Sequence, residues 1–110
     1  MRLGDRRKTS RYDCTHPVKY AYAGAPPRMG LLNEISTGGV LLATHHPVPD
    51  DIRIAIQVYD PRSRTDVEVH GHVGRRTNDL TYGIAFVELS HDALELVNYL
   101  LTQAGQKTAD

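Results

Sequence analysis

The stretch Arg28-Met29-Gly30-Leu31-Leu32-Asn33-Glu34-Ile35-Ser36-Thr37-Gly38-Gly39-Val40-Leu41-Leu42-Ala43 reads as two β-strands, Arg28 to Ile35 and Gly39 to Ala43, joined by a Ser-Thr-Gly-Gly turn. A carboxylate, Glu34, and a hydroxyl, Ser36, stand two residues apart just ahead of that turn. A strand's period of two puts both on one face. Gly38 and Gly39 are expected to turn the backbone through positive φ and to let it approach a ligand with no Cβ in the way.

On either side the period stays near two. His16 to Tyr22 alternates and reads as an earlier strand, closed by the Gly- and Pro-rich turn Ala23-Gly24-Ala25-Pro26-Pro27. Beyond the quoted stretch, His45 to Asp51 is a loop punctuated by two prolines. Ile52 to Val58 is the cleanest alternation in the chain; Asp60-Pro61-Arg62-Ser63 turns it into Val67 to Val73. Thr77-Asn78-Asp79 then turns into a last strand, Leu80 to Val87. Short strands at near-regular spacing argue for a closed antiparallel barrel or a sandwich.

After Val87 the period changes. Ser90 is a helix N-cap, and Asp92 in the first turn suits the helix dipole. Ala93, Leu94, Leu96, Val97, Leu100 and Leu101 make an apolar stripe at helical spacing. Gly105 is expected to end the helix, leaving a short tail. The predicted organisation is a flexible basic arm at 1–12, a barrel domain at 13–104 with its helix at about 90–104, and a tail at 105–110.

Composition fits one small globular domain: 110 residues, 40% hydrophobic and 24% charged, with no net charge. The charge is unevenly placed. Arg2, Arg6, Arg7, Lys8 and Arg11 face only Asp5 among the first eleven residues. A neutral chain with one cationic end suits capture of a small anion better than wholesale nucleic-acid binding, which needs a basic domain. No apolar run reaches the ~20 residues of a membrane span, and the basic N-terminus lacks the apolar core of a secretory signal. The lone Cys14 cannot form an internal disulfide and fits a reducing compartment, so a cytoplasmic location is expected.

The arginines complete the chemistry of the Glu34–Gly39 turn. Arg6-Arg7-Lys8-Thr9-Ser10-Arg11 concentrates three guanidinium groups in six positions. Each is a rigid fork of donors matching paired phosphate oxygens or the O6/N7 edge of guanine, and each stacks on aromatic faces. A carboxylate accepts from guanine's opposite edge, and a serine hydroxyl donates or accepts. The two segments together point to a guanine nucleotide.

Arg6, Arg7 and Arg11, followed by Glu34, Ser36 and Gly39, resemble the Arg-Arg-x-x-x-Arg and Asp/Asn-x-Ser-x-x-Gly signature of the PilZ domain family. Tyr82-Gly83-Ile84-Ala85-Phe86-Val87 is similar to the family's last strand, so the resemblance runs from about Arg6 to Leu101. It departs at Glu34, where the pattern has Asp or Asn; Asn33 is one residue out of register. The resemblance implies an all-β fold, a small closed antiparallel six-stranded Greek-key-like β-barrel with one C-terminal α-helix. It also implies a receptor for the bacterial second messenger cyclic di-GMP, held at Arg6, Arg7, Arg11, Glu34, Ser36, Gly38 and Gly39. Signalling would run through reordering of the arm to a downstream partner protein. Glu34 supports a different possibility, a PilZ-fold adaptor with weak or lost nucleotide binding.

Other chemistry finds less support. His70 and His72 share a strand face and His45 and His46 adjoin in a loop, but a metal site needs three or four convergent ligands. No metal and no cofactor is expected. No nucleophile–base–orienter set, P-loop or dinucleotide fingerprint is visible, so the chain reads as a non-enzyme. A barrel binding single-stranded nucleic acid would use the same arginines, but one Phe and no Trp give it few stacking platforms.

Overall fold

The structure, a computed structural model, describes residues 12–78 and 80–108, with side-chain surroundings for 12–74 and 80–105. Arg6, Arg7 and Arg11 of the expected arm lie outside the described residues. Six strands run in chain order, β1 (Tyr12–Ala21), β2 (Arg28–Ile35), β3 (Gly39–Ala43), β4 (Arg53–Asp60), β5 (Thr65–Asn78) and β6 (Thr81–Phe86), followed by helix α1 (His91–Thr108). They close into an antiparallel barrel in the order β1-β2-β3-β6-β5-β4. Two meanders, β1–β2–β3 and β4–β5–β6, are stitched along the β3–β6 and β1–β4 seams. The long β3–β4 connection brings β4 back beside β1, which is the Greek-key arrangement.

Alternation dictates the core. Val40 and Leu42 on β3, Ile54, Ile56 and Val58 on β4, and Tyr82 and Ile84 on β6 all point inward and are buried. Burying each large apolar side chain contributes about 1.5–3 kcal/mol. One mouth is covered by the loop before β4, where Val48 is buried and its amide donates to the Tyr82 hydroxyl at 2.9 Å. Tyr20 lies inside near this end, its hydroxyl beside Thr44, and burial raises its pKa. The other mouth takes α1: Val97 and Leu100 share a small internal void with Ile35, Val40 and Phe86.

The helix begins as expected, with Ser90 Oγ accepting from the Ala93 amide at 3.1 Å. Two details differ. Leu94 is 48% exposed, because the buried face is Ala93, Leu96, Val97 and Ala104 and position 94 lies off it. The helix also continues through Gly105 to Thr108, past the expected end at about 104. Gly105 sits near the Tyr12 ring, where a Cβ would come no closer than 3.9 Å, so the glycine is neither strained nor left-handed and does not stop the helix. Arg62 ties the β4–β5 turn to the helix. It donates to both oxygens of the buried Asp60 carboxylate, at 3.0 and 2.9 Å, and lies 4.9 Å from the centre of the Tyr99 ring. These hydrogen bonds hold the Asp60 carboxyl below its ordinary range.

Strands β1 and β5 are longer than their alternation suggests, and both contain register shifts. In β1 the shift falls between Asp13 and His16; in β5 it falls between Val73 and Arg76 and again before Asn78. A bulge inserts a residue and breaks the period of two, so the strand continues while its signature stops.

Candidate functional site

A third irregularity builds the site. Leu32 pairs with Leu42 and Glu34 with Leu41, so β2 takes two steps where β3 takes one, and Asn33 is the extra residue. Leu32 and Ile35, three apart, are therefore both buried, and Glu34 between them is turned out of the core. It lines a cleft of about 380 Å³ over the outer face of β3 and β6. Asn33 is exposed and does not line the cleft. The residue at the pattern-breaking position is thus the one at the site.

Ser36 and Gly39 line the same cleft. Ser36 and Gly39 close the turn: the Ser36 amide donates to the Gly39 carbonyl at 2.9 Å, and Ser36 Oγ accepts from the Gly38 amide at 3.2 Å. Part of the serine's hydrogen-bonding capacity therefore shapes the turn itself, an ST-type local bond. Gly38 is exposed at the tip and outside the cleft lining.

The expected role of the two glycines needs correction. Neither adopts positive φ. A Cβ on Gly38 would meet nothing within 4 Å among the described residues, whereas one on Gly39 would collide with the Ile84 carbonyl oxygen of β6. Gly39 is thus demanded by the β3–β6 seam, where it pairs with Ala85.

The rest of the lining was not singled out from sequence. Gly83 and Ala85 on β6 and Gly74 on β5 form the floor, and Leu41 on β3 stands beside it as a wall. Their neighbours Leu42, Tyr82, Ile84 and Val73 are core residues, so alternation places these four on the outer face. That parity was readable for the Tyr82–Phe86 stretch, where small residues at 83 and 85 alternate with large ones.

Strand β1 also begins at this place. Tyr12, next in the chain to Arg11, pairs with Ile35, and Asp13 pairs with Glu34. The cleft thus combines a carboxylate, a hydroxyl-stapled turn, an apolar wall at Leu41 and a floor nearly bare of side chains, at the point where the arginine-bearing segment joins β1. Such a surface can hold a flat, hydrogen-bonding anion; it offers no enclosed, water-free reaction site.

Histidine chemistry disperses elsewhere. His70 pairs with Glu68 at 2.8 Å, His72 with Asp51 at 2.7 Å and His91 with Glu95 at 3.1 Å. Among the described residues no three or more His, Cys, Asp or Glu side chains gather to hold a metal ion. Cys14 is half-buried, its Sγ 3.6 Å from the Leu32 carbonyl oxygen. Among the described residues no helix is long and apolar enough to cross a membrane.

Comparison with known proteins agrees with this architecture. None of the curated proteins matches the chain in sequence. The PilZ domain of CeSA from a cellulose-synthesizing bacterium superposes with a TM-score of 0.67 at 15% identity, covering 86% of this chain and 96% of that one. The PilZ domain of YcgR from Escherichia coli, solved with c-di-GMP, gives 0.64 at 13% identity over 94% of each chain. The Bacillus subtilis inhibitor of motility MotI/DgrA gives 0.68 at 18% identity over 89% of this chain, which spans half of that protein. At such identities the likeness is one of fold. The family profile described as PilZ domain matches residues 5–103, nearly the whole chain, and the chain belongs to that family.

Proposed function

We propose that this protein is a receptor for cyclic di-GMP, and that it binds at the cleft over β3 and β6. The observation that carries the reading is that one sequence motif lines the cleft while the strand that follows the other motif in the chain begins beside it. Glu34, Ser36 and Gly39 line the cleft, and β1 begins beside it at the residue following Arg11. In this reading Arg7 and Arg11 grip phosphates and guanine Hoogsteen edges, and Arg6 stacks or completes the phosphate contacts. Glu34 accepts from the N–H groups of the guanine's other edge, and Ser36 adds a hydroxyl.

The YcgR domain, which shares this fold, is known with c-di-GMP bound, which supports the choice of ligand. The protein acts by binding rather than catalysis and meets the messenger in the cytoplasm. Ordering of the N-terminal arm on the ligand changes the surface that a downstream partner protein senses.

Calorimetric titration of the full chain tests this. Cyclic di-GMP is expected to bind saturably, while GTP and a short RNA are not. No binding of cyclic di-GMP, with the barrel folded, favours the adaptor reading that Glu34 raises.

A further inference from the structure

We infer that the cleft floor is a seat for the flat face of a purine ring, and that Gly74 is the residue that keeps it flat. The inference rests on the nucleotide reading above and assigns which part of the ligand lies where.

The strand glycines at 30, 39, 71 and 74 separate into two kinds. A Cβ on Gly30 would stand 2.9 Å from the Ala43 carbonyl oxygen and 3.1 Å from Leu42 Cδ1. One on Gly71 would collide with Ile84 Cγ2, and one on Gly39 with the Ile84 carbonyl oxygen. The fold itself excludes side chains at those three positions. Gly74 is different: among the described residues a Cβ there would find Gly83 O at 3.5 Å as its nearest neighbour, an ordinary contact. Its φ is not in the left-handed region.

Glycine inside a strand weakens it and, where packing does not demand it, marks close approach by a ligand or another backbone. The register shift after Val73 does not account for it, because the bulge type that requires glycine does so through a left-handed φ. What lies over Gly74 is the cleft. Side chains on a sheet stand roughly perpendicular to it, so any side chain at 74 would rise into that space.

The neighbours complete the seat. Val73 pairs with Ile84, which sets Gly74 beside Gly83, and Leu41 pairs with Gly83 from the other side. Across three strands the row therefore reads Leu41, Gly83, Gly74: one apolar wall and two bare peptide planes. A planar base lies against such a surface, while Glu34 at the rim accepts from the ring's N–H edge.

The test uses the full chain with Gly74→Ala and Gly74→Val, measured by thermal unfolding and by titration with cyclic di-GMP beside wild type. Valine is a better strand residue than glycine, so Gly74→Val should melt no lower than wild type yet lose affinity by about tenfold or more, with Gly74→Ala between the two. Undiminished affinity in Gly74→Val overturns the inference and leaves the nucleotide reading standing. Lower melting of both variants also overturns it, because the fold would then need the glycine. A wild-type protein that does not bind cyclic di-GMP removes both.

Discussion

Replacing Gly39 with alanine separates the two reasons a glycine could occupy that position. The added methyl would collide with the Ile84 carbonyl oxygen, with Ile84 C at 3.1 Å and Ala85 Cα at 3.2 Å also crowded. All three are β6 backbone atoms, so no rotamer change relieves the clash. The strand must move, and β3–β6 is one of the two seams that close the barrel. Overpacking of a core costs about 1–3 kcal/mol, and an unyielding backbone neighbour puts this case at the upper end or beyond. For a domain of this size each kcal/mol lowers Tm by about 4–8 °C, so a fall on the order of 10–20 °C is expected. Gly38→Ala, with no neighbour within 4 Å among the described residues and no positive φ, is the control and should change stability by no more than about 0.5 kcal/mol. Thermal unfolding followed by circular dichroism reads both. A Gly39→Ala variant that melts like wild type but no longer binds cyclic di-GMP would refute the seam argument and restore the close-approach role.

Arg7→Ala and Arg11→Ala should each abolish measurable cyclic di-GMP binding while leaving the circular dichroism spectrum unchanged, since hydrogen bonds to a charged group are worth about 1.5–3 kcal/mol apiece; lysine should not rescue, lacking the planar fork. Glu34 reaches about 1.5 Å further from the backbone than aspartate would, at a rotamer cost of about 0.5–1.5 kcal/mol if it folds back, so Glu34→Asp should tighten binding roughly two- to tenfold. Glu34→Ala should weaken binding if the carboxylate touches the base and strengthen it if the carboxylate competes for the arginines; unchanged affinity in both variants would remove Glu34 from the site. Asp60 is held below its ordinary 3.8 chiefly by the Arg62 hydrogen bonds, so this contact stabilises the fold above that pH and is lost as pH falls through the lower folded-state value. The stability gap between wild type and Arg62→Gln should accordingly shrink as pH drops below about 4 in denaturant titrations, and a gap independent of pH would contradict the pairing.

How much of this was legible in the sequence depended on where the period of two held. The bounds of β2 and β3 were legible from the turns on either side of them, and Ile52–Val58 lies almost wholly within β4 (Arg53–Asp60) because apolar residues alternate there without interruption. β1 was read four residues short and β5 five residues short at its C-terminal end, since register shifts near Asp13 and Val73 scramble the pattern that announces a strand. The same cause hid how Glu34 reaches the surface: simple parity from Leu32 would bury it, and the Asn33 bulge reverses that. Glu34, Ser36 and Gly39 were found through side-chain chemistry and motif resemblance. Gly74, Gly83 and Ala85 carry no chemistry of their own, and only the closed barrel brings β5 and β6 beside the β2–β3 turn. The seam's own demand for Gly39 was not legible, because a collision across β3–β6 cannot be seen before the strands are paired.

The claim that cyclic di-GMP binds on the outer face of β3 and β6 is tested most directly by following backbone amide resonances of the isotope-labelled full chain during titration. The largest shifts are expected at Glu34, Ser36, Leu41, Gly74, Gly83 and Ala85, with the opposite mouth around Thr44 and Val48 unmoved. Shifts confined to that opposite mouth, or none at saturating ligand, would contradict the account.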